Sequence, residues 1–100
     1  MTMATSMISN GKTLYHFEDI SASNLSSSTY YGSWDITIPS VSGYKPIAVK
    51  SLSINQVNKN IYMHAVSDTA LTVGACNISL NGSIGSLSIS ATIVYVRETA

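Results

Sequence analysis

Apolar and polar side chains alternate in short runs along residues 43–96, and Ile36 and Ile38 alternate with polar neighbours just before them. A period of two is that of a β-strand, because successive side chains of a strand point to opposite faces of the sheet. Turn residues recur at intervals of about ten residues, the spacing expected of short strands in a sandwich or barrel. The apolar spacing of a helix is missing from these runs. The pattern therefore predicts an all-β domain.

Two interruptions of the alternation predict β-bulges. The parity of the apolar positions changes after Val49 and again after Val73. An extra residue in one strand returns the side chains that follow it to the same face of the sheet. We therefore expect one bulge near residues 50–51 and a second at Gly74.

Asparagine, glycine and proline indicate where the strands end. Asn81-Gly82 is a strong hairpin signal, and the small residues after it predict a loop longer than two residues. Residues 58–60, Asn-Lys-Asn, predict another turn because asparagine tolerates the left-handed backbone that turns need. Pro39 ends the strand before it, since proline has no N–H to donate to a neighbouring strand. The Ser-rich residues 21–29 are either a loop or a loosely paired edge strand.

Charge is scarce in this chain. Charged side chains make up 10% of the residues, against roughly 25% in ordinary soluble domains. Hydroxyl and amide groups must therefore cover much of the surface. The formal net charge is zero, so there is no basic stripe to bind nucleic acid or anionic lipid. No stretch approaches the roughly 18 apolar residues of a membrane span. Neither a nucleic-acid partner nor membrane insertion is expected.

These patterns together predict one small domain over residues 12–100. At 10.6 kDa the chain can bury a single core. We expect an antiparallel, jelly-roll-like β-sandwich of roughly six to eight strands. Residues 1–11 are expected to form a flexible N-terminal segment.

The sequence offers no recognisable catalytic or metal site. Cys76 is the single cysteine, which excludes an internal disulfide and a zinc site built on thiolates, and it is expected to be a small buried side chain. His16 and His64 are the two histidines and have no third ligand at a suitable spacing. Asp35 could belong to a Ser-His-Asp arrangement, but no G-x-S-x-G motif supports one. We therefore predict a non-enzymatic protein without cofactor or metal.

A set of aromatic and amide side chains is the candidate binding surface. Trp34 shares the parity of the apolar positions and is expected in the core together with Tyr30, while Tyr44 is expected to cap the core at a turn. Tyr31, Tyr62 and His64 have the opposite parity and are expected on the face away from the apolar rows. Asn58 and Asn60 belong to the adjacent turn. The predicted binding residues are Tyr31, Asn58, Asn60, Tyr62 and His64. A surface that stacks on glycans and a subunit interface both fit this set.

The last strand predicts self-association. It carries apolar side chains on both faces, with Val94 and Val96 opposite the main apolar row, and we place Val66 on the same uncovered side. An antiparallel sheet that is apolar on both faces usually has both faces covered. We therefore expect a homo-oligomer, most simply a trimer, in which a neighbouring subunit supplies the cover.

Four segments carry a resemblance to a known family. They are Ser-Gly-Tyr-Lys-Pro-Ile-Ala-Val at residues 42–49, the strand at residues 71–73, the hairpin at residues 79–82 and the terminal strand at residues 90–97. Together they resemble the C-terminal β-modules of bacteriophage tail-fibre and receptor-binding proteins from phages of Gram-positive and gut bacteria. The resemblance implies a trimeric β-sandwich at the distal end of a fibre, assembled in the host cytoplasm and located in the virion tail. Fibre capping and adhesion to a host-surface glycan are the roles it implies.

Two other classes of function stay open. A stand-alone carbohydrate-binding module would present an exposed row of aromatic side chains. A small hydrolase would need a cleft that contains a perturbed carboxylate or histidine.

Overall fold

The computed structural model describes residues 8–9 and 12–98 of the chain. Eight strands run through them: β1 (Ile8–Ser9), β2 (Lys12–Thr13), β3 (Tyr15–Ser27), β4 (Tyr31–Thr37), β5 (Tyr44–Ile54), β6 (Lys59–Val66), β7 (Ala70–Asn77) and β8 (Ile84–Arg97). None of the described residues belongs to a helix long and apolar enough to cross a membrane. The predicted all-β class is confirmed.

The strands from β3 onward form two antiparallel sheets of three strands each, in the orders β3-β8-β5 and β4-β7-β6. Strand β3 pairs with the last strand, β8, and β4 pairs with the strand before it, β7. This nesting wraps the chain as in a jelly roll, with the number of strands reduced. The predicted antiparallel sandwich is therefore confirmed. Of the segment 1–11, only β1 is described, and it pairs with β2; the rest lies outside the described residues.

The core lies between the two central strands, β7 and β8. Their inward side chains alternate with outward ones, as the period of two predicts. The buried apolar side chains are Ile36, Ile38, Leu71, Val73, Ala75, Ile84, Leu87, Ile89, Ala91, Ile93 and Tyr95. Trp34 packs against this cluster, and its indole Nε1–H donates to the carbonyl oxygen of Ser26 at 3.1 Å. The expectation that Trp34 is a core residue is confirmed.

Tyr95 lies fully buried at one end of the core. Its hydroxyl donates to the carbonyl oxygen of Pro39 at 2.5 Å, which satisfies the polar tip of a ring that is otherwise surrounded by apolar groups. Burial raises the pKa of the Tyr95 phenol, and the negative charge of Glu18 raises it further. Tyr44 packs beside this end of the core, as expected.

The two predicted bulges have different outcomes. In β5 the pairing with β8 shifts between Val49 and Ser51, which confirms the bulge near Lys50. The second bulge is in β6 and not in β7: the pairing shifts between Ile61 and Met63 while β7 stays regular, so the extra residue is Tyr62. Gly74 is the residue opposite this bulge.

The turns and edges also differ in part from the sequence prediction. Asn58 has φ 67°, as expected for a turn, but β6 already begins at Lys59. The loop after β7 contains Gly82 with φ 73°, and its length confirms a loop of more than two residues. Residues 21–27 belong to edge strand β3, whose pairing with β8 is irregular after Ala22. The edge-strand interpretation of that Ser-rich stretch is therefore the correct one.

The positions of Val66 and Tyr30 differ from the prediction. Val66 is opposite Leu71 and packs against the core, so it does not join the outward valines. Tyr30 is exposed on the bend before β4 and is not a core residue. The bulge at Tyr62 changes the parity of everything after it in β6, which explains the first error.

Replacing Tyr95 with phenylalanine tests how much the buried hydroxyl of Tyr95 contributes to stability and to its pH dependence. The folded phenol keeps its proton to a higher pH than the unfolded one, so its deprotonation favours unfolding. The stability it contributes is complete below the unfolded pKa of about 10 and is lost as the pH rises above it. We expect Tyr95→Phe to lower the free energy of unfolding at neutral pH by about 1–3 kcal/mol, because the Pro39 carbonyl loses its donor. The variant should also lose less stability than the parent between pH 9 and 11.

Chemical denaturation at several pH values measures both effects. Tyr15→Phe, which alters an exposed phenol of the same sheet, is the control and should leave the profile unchanged. An equal loss of stability at high pH in Tyr95→Phe and in the parent would contradict the account.

Candidate functional site

The outer face of the β4-β7-β6 sheet carries most of the side chains predicted to bind. Tyr31 of β4 and Asn60 of β6 both lie opposite Cys76 of β7. Directly opposed residues of an antiparallel pair share a face. Because the neighbouring Ala75 is buried between the sheets, Cys76 points away from the core. Tyr31, Cys76 and Asn60 therefore form one row across the outer face, and Cys76 is partly buried there and not enclosed in the core.

Tyr62 lies in the next row, across the middle of the sheet. Its hydroxyl donates to the carbonyl oxygen of Gly32, at 3.3 Å, so the side chain reaches from β6 over β7 to β4. Gly74 of β7 is beneath it: a Cβ atom on Gly74 would lie 2.6 Å from Cζ of Tyr62 and 2.9 Å from Cγ of Met63. Such distances are far inside van der Waals contact, so only glycine leaves room for this arrangement. Tyr62 nevertheless keeps 52% of its surface exposed.

Tyr31 is held by a second aromatic ring. The rings of Tyr30 and Tyr31 meet edge to face with their centroids 5.1 Å apart, an arrangement favoured by the ring quadrupoles. Tyr31 is 50% exposed. We call Tyr31, Asn60, Tyr62 and Met63, with Gly74 and Cys76 below them, the tyrosine face.

The remaining predicted binding residues lie elsewhere. His64 is opposite the core residue Val73, so it points to the opposite side of the sheet from Tyr62, although it is itself exposed. Asn58 is in the turn before β6, where its carbonyl oxygen accepts a hydrogen bond from the N–H of Ile78 at 2.9 Å. The structure thus brings together Tyr31, Asn60 and Tyr62 and leaves the other two apart.

Sequence reasoning missed two components of the tyrosine face. Met63 was not among the predicted binding residues, because the alternation of β6 did not show the bulge that brings it to the outer face. Gly74 was interpreted as a bulge, although a glycine inside a strand also marks a position where another group approaches the backbone closely. A glycine inside a strand was therefore the sequence signal that could have revealed the close approach of Tyr62 and Met63 to Gly74.

The outer face of the β3-β8-β5 sheet has an apolar half. Val94 lies between Phe17 of β3 and Ala48 of β5, and in the next row Val96 lies between Tyr15 of β3 and the exposed Lys45 at the edge of β5. Phe17 is 51% exposed, and the ammonium of Lys50 is 5.0 Å from the centroid of its ring. We call Tyr15, Phe17, Ala48, Val94 and Val96 the valine face.

The other half of that outer face is polar. A shallow depression of about 330 Å³ is lined mainly by hydroxyl groups and a carboxylate. At its centre the Thr92 hydroxyl donates to Oδ1 of Asp19 at 2.7 Å and accepts from the Ser51 hydroxyl at 3.2 Å. These groups are already hydrogen-bonded to one another, which makes this half an ordered polar surface.

The acidic and histidine side chains do not assemble into a metal site or a triad. Within the described part of the chain, no group of three or more His, Cys, Asp and Glu side chains could hold a metal ion. Asp35 accepts a hydrogen bond from the Thr72 hydroxyl at 2.6 Å on the outer face, whereas His64 points to the other side of the sheet. His16 pairs with Glu18, Nε2 to Oε1 at 2.8 Å, and its ring packs edge to face on Tyr95. His16 thus packs at the end of the core.

Comparison with known proteins adds no relative. No protein-family model matches the chain, and searches of curated proteins and of solved structures found no significant match.

Replacing Gly74 with alanine tests whether the Tyr62 ring packs directly on this glycine. The added methyl group overlaps the ring, so we expect the ring to leave Gly74 and its hydrogen bond to Gly32 to be lost. Crowding of this kind costs about 1–3 kcal/mol of unfolding free energy. In a Tyr62→Ala background the same change should cost clearly less, because the ring is absent and only Met63 remains in the way.

Denaturant unfolding of the parent, the two single variants and the double variant gives the coupling energy. Gly85→Ala is the matched control, because no atom lies within 4 Å of the added methyl group there. A cost at Gly74 that is independent of Tyr62 would show that the ring does not rest on this glycine.

Proposed function

We propose that this chain is a non-enzymatic module of a bacteriophage tail fibre or receptor-binding protein, which self-associates and contributes to adhesion at the host surface. Its setting in a virion tail rests on the sequence resemblance. Self-association rests on one structural observation, the valine face, where the exposed rings of Tyr15 and Phe17 lie beside the partly exposed Val94 and Val96.

The proportions of the domain explain why that face needs a cover. The molecule measures 58 × 22 × 17 Å, with a Cα radius of gyration of 16.7 Å, whereas a typical domain of 100 residues has about 13 Å. Sheets of three strands cover little of each other compared with the surface that they expose. Contiguous apolar side chains on an outer face are typical of an interaction surface.

The residues that carry the resemblance also form a structural unit. Gly43 has φ 85°, a backbone conformation that suits glycine, and β5 begins at the next residue, Tyr44. The carbonyl oxygen of Gly43 accepts a hydrogen bond from the N–H of Glu98 at 2.9 Å. The start of the segment at residues 42–49 is thereby joined to the end of the terminal strand, and the valine face lies beside this junction. A homo-oligomer of three subunits, as the resemblance implies, would bury that region around a common axis.

A second function, carbohydrate binding by a stand-alone module, is favoured by the tyrosine face. It differs from the first in requiring no assembly. Both functions use the same exposed aromatic side chains for adhesion, and the oligomeric state separates them.

Replacing Val94 with lysine tests the assembly. If neighbouring subunits cover the valine face, an unpaired ammonium buried there is strongly unfavourable, and we expect the oligomer of the parent chain to dissociate. Light scattering at micromolar concentration measures the mass. Ser90→Lys is the matched control, because Ser90 lies on the same strand and face but in the polar half, and it should leave the mass unchanged.

A parent chain that scatters as a monomer of 10.6 kDa would refute self-association and favour the stand-alone module. An oligomer that survives Val94→Lys intact would place the interface on another surface.

A further inference from the structure

We infer that the tyrosine face is a binding site for neutral hexopyranose chains, with the Tyr62 ring as the platform on which one sugar ring packs. This inference rests on the adhesive part of the proposed function and deepens it by naming the site and the class of ligand. It does not depend on the oligomeric state.

The first argument is the position of the Tyr62 ring. Tyr62 is the extra residue of a bulge, its ring rests over Gly74, and its hydroxyl is tied to β4. A ring fixed in this way loses little conformational freedom when a ligand packs on it, so little of the binding energy is lost to ordering. Bulges often re-aim a side chain for function. About half of the tyrosine surface stays open, which offers an aromatic surface to the apolar C–H groups of a pyranose.

The second argument is the set of polar groups around the ring. Asn60 lies one row away on β6, and Ser33 lies opposite Gly74 on β4. The next row holds Asp35 and Thr72, hydrogen-bonded to each other at 2.6 Å. Rows on one face of a strand are about 7 Å apart, so amide, hydroxyl and carboxylate groups lie within reach of the hydroxyls of a sugar over the ring. Ligand sites commonly combine an apolar platform with a few polar groups in this way.

The third argument is the charge of the face. Of the described residues on the outer side of β4, β6 and β7, Asp35 alone is charged. Nucleic acid and phosphorylated ligands would need cations for their phosphates, and none of these outward side chains is a cation. An anionic sugar would be repelled by Asp35. A neutral, hydroxyl-rich ligand suits a face with these groups.

Tyr31 extends the site along the row next to Tyr62. It lies two strands away from Asn60, about 10 Å, and its ring is braced by Tyr30 at 5.1 Å between centroids. Two exposed rings in neighbouring rows of one face, Tyr31 and Tyr62, suit a chain of sugar units better than a single one. We therefore expect trisaccharides to bind more tightly than monosaccharides.

Titration of the isotope-labelled full chain, followed by NMR, tests the site. The probes are maltotriose, cellotriose and tri-N-acetylchitotriose, with trigalacturonate as the anionic comparison. We expect at least one neutral trisaccharide to shift the signals of Tyr31, Asn60 and Tyr62 with a millimolar dissociation constant. Trigalacturonate should shift them less.

Four variants separate the site from general effects. Tyr62→Ala should weaken binding about tenfold or more, the effect of removing a stacked aromatic ring. Gly74→Ala should weaken it too, because it displaces the ring. Tyr62→Phe keeps the ring and should still bind. Tyr15→Ala, which removes a similarly exposed tyrosine of the other sheet, should bind as the parent does.

Several results would overturn the inference. One is the absence of any shift at the tyrosine face with the neutral trisaccharides at tens of millimolar. Another is unchanged affinity in Tyr62→Ala. A third is a change of oligomer mass in Tyr62→Ala with no sugar binding by the parent, which would make this face a subunit contact. Loss of self-association in Val94→Lys with sugar binding intact would separate the two surfaces and leave the inference standing.

Discussion

The packing of the two central strands, β7 and β8, against each other across the core is the constraint on which the rest of this structure depends. Each sheet has three strands, so the central strand of each supplies most of the fully buried side chains. Each edge strand turns one row of mostly partly buried side chains toward the core, and its other face is exposed to solvent. A core this narrow depends on the alternating inward side chains of β7 and of residues 87–95 of β8, and it makes both outer faces large compared with the interior.

The contrast between the two outer faces follows from what lies opposite each central strand. Along β8, outward valines near the end of the strand meet Phe17 and Tyr15, and outward hydroxyls in the middle meet Asp19 and serines. Along β7, the outward residue at the centre is Gly74, which is covered by Tyr62 and Met63. The first sheet therefore presents an apolar patch suited to another protein surface. The second presents a fixed aromatic ring among polar groups.

The fold could be predicted from the sequence because the buried apolar side chains of β7 follow the period of two, as do those of β8 from Leu87 to Tyr95. The β5 bulge near Lys50 was also predictable, since it shifts apolar parity within one strand. The assignment of the second bulge failed for a physical reason. The sequence of β6 is apolar or amphipathic on both faces, so parity alone could not show that Tyr62 is the extra residue. The length of β3 was missed because its Ser-rich half has too few apolar side chains to show an alternation.

The same bulge decided how much of the candidate site was predictable. Tyr31 was assigned to the outer face from parity, whereas Asn60 was predicted at the adjacent turn and lies before the bulge in β6, on the same face. His64 follows it and was placed on the wrong side. Contacts such as the Tyr62 hydroxyl with the Gly32 carbonyl join residues that are 30 positions apart. A local pattern of residue types does not encode such a contact.

We propose that the two outer faces have different roles, with neighbouring subunits covering the valine face and the tyrosine face open to ligand. Paramagnetic relaxation by a neutral, soluble gadolinium chelate measures the solvent access of both faces in the same sample of the assembled chain. The account predicts protected methyl groups at Val94 and Val96 and strongly relaxed ring protons at Tyr31 and Tyr62. Relaxation of the Val94 methyl groups as strong as that of the Tyr62 ring, or protection of the Tyr62 ring, would contradict it.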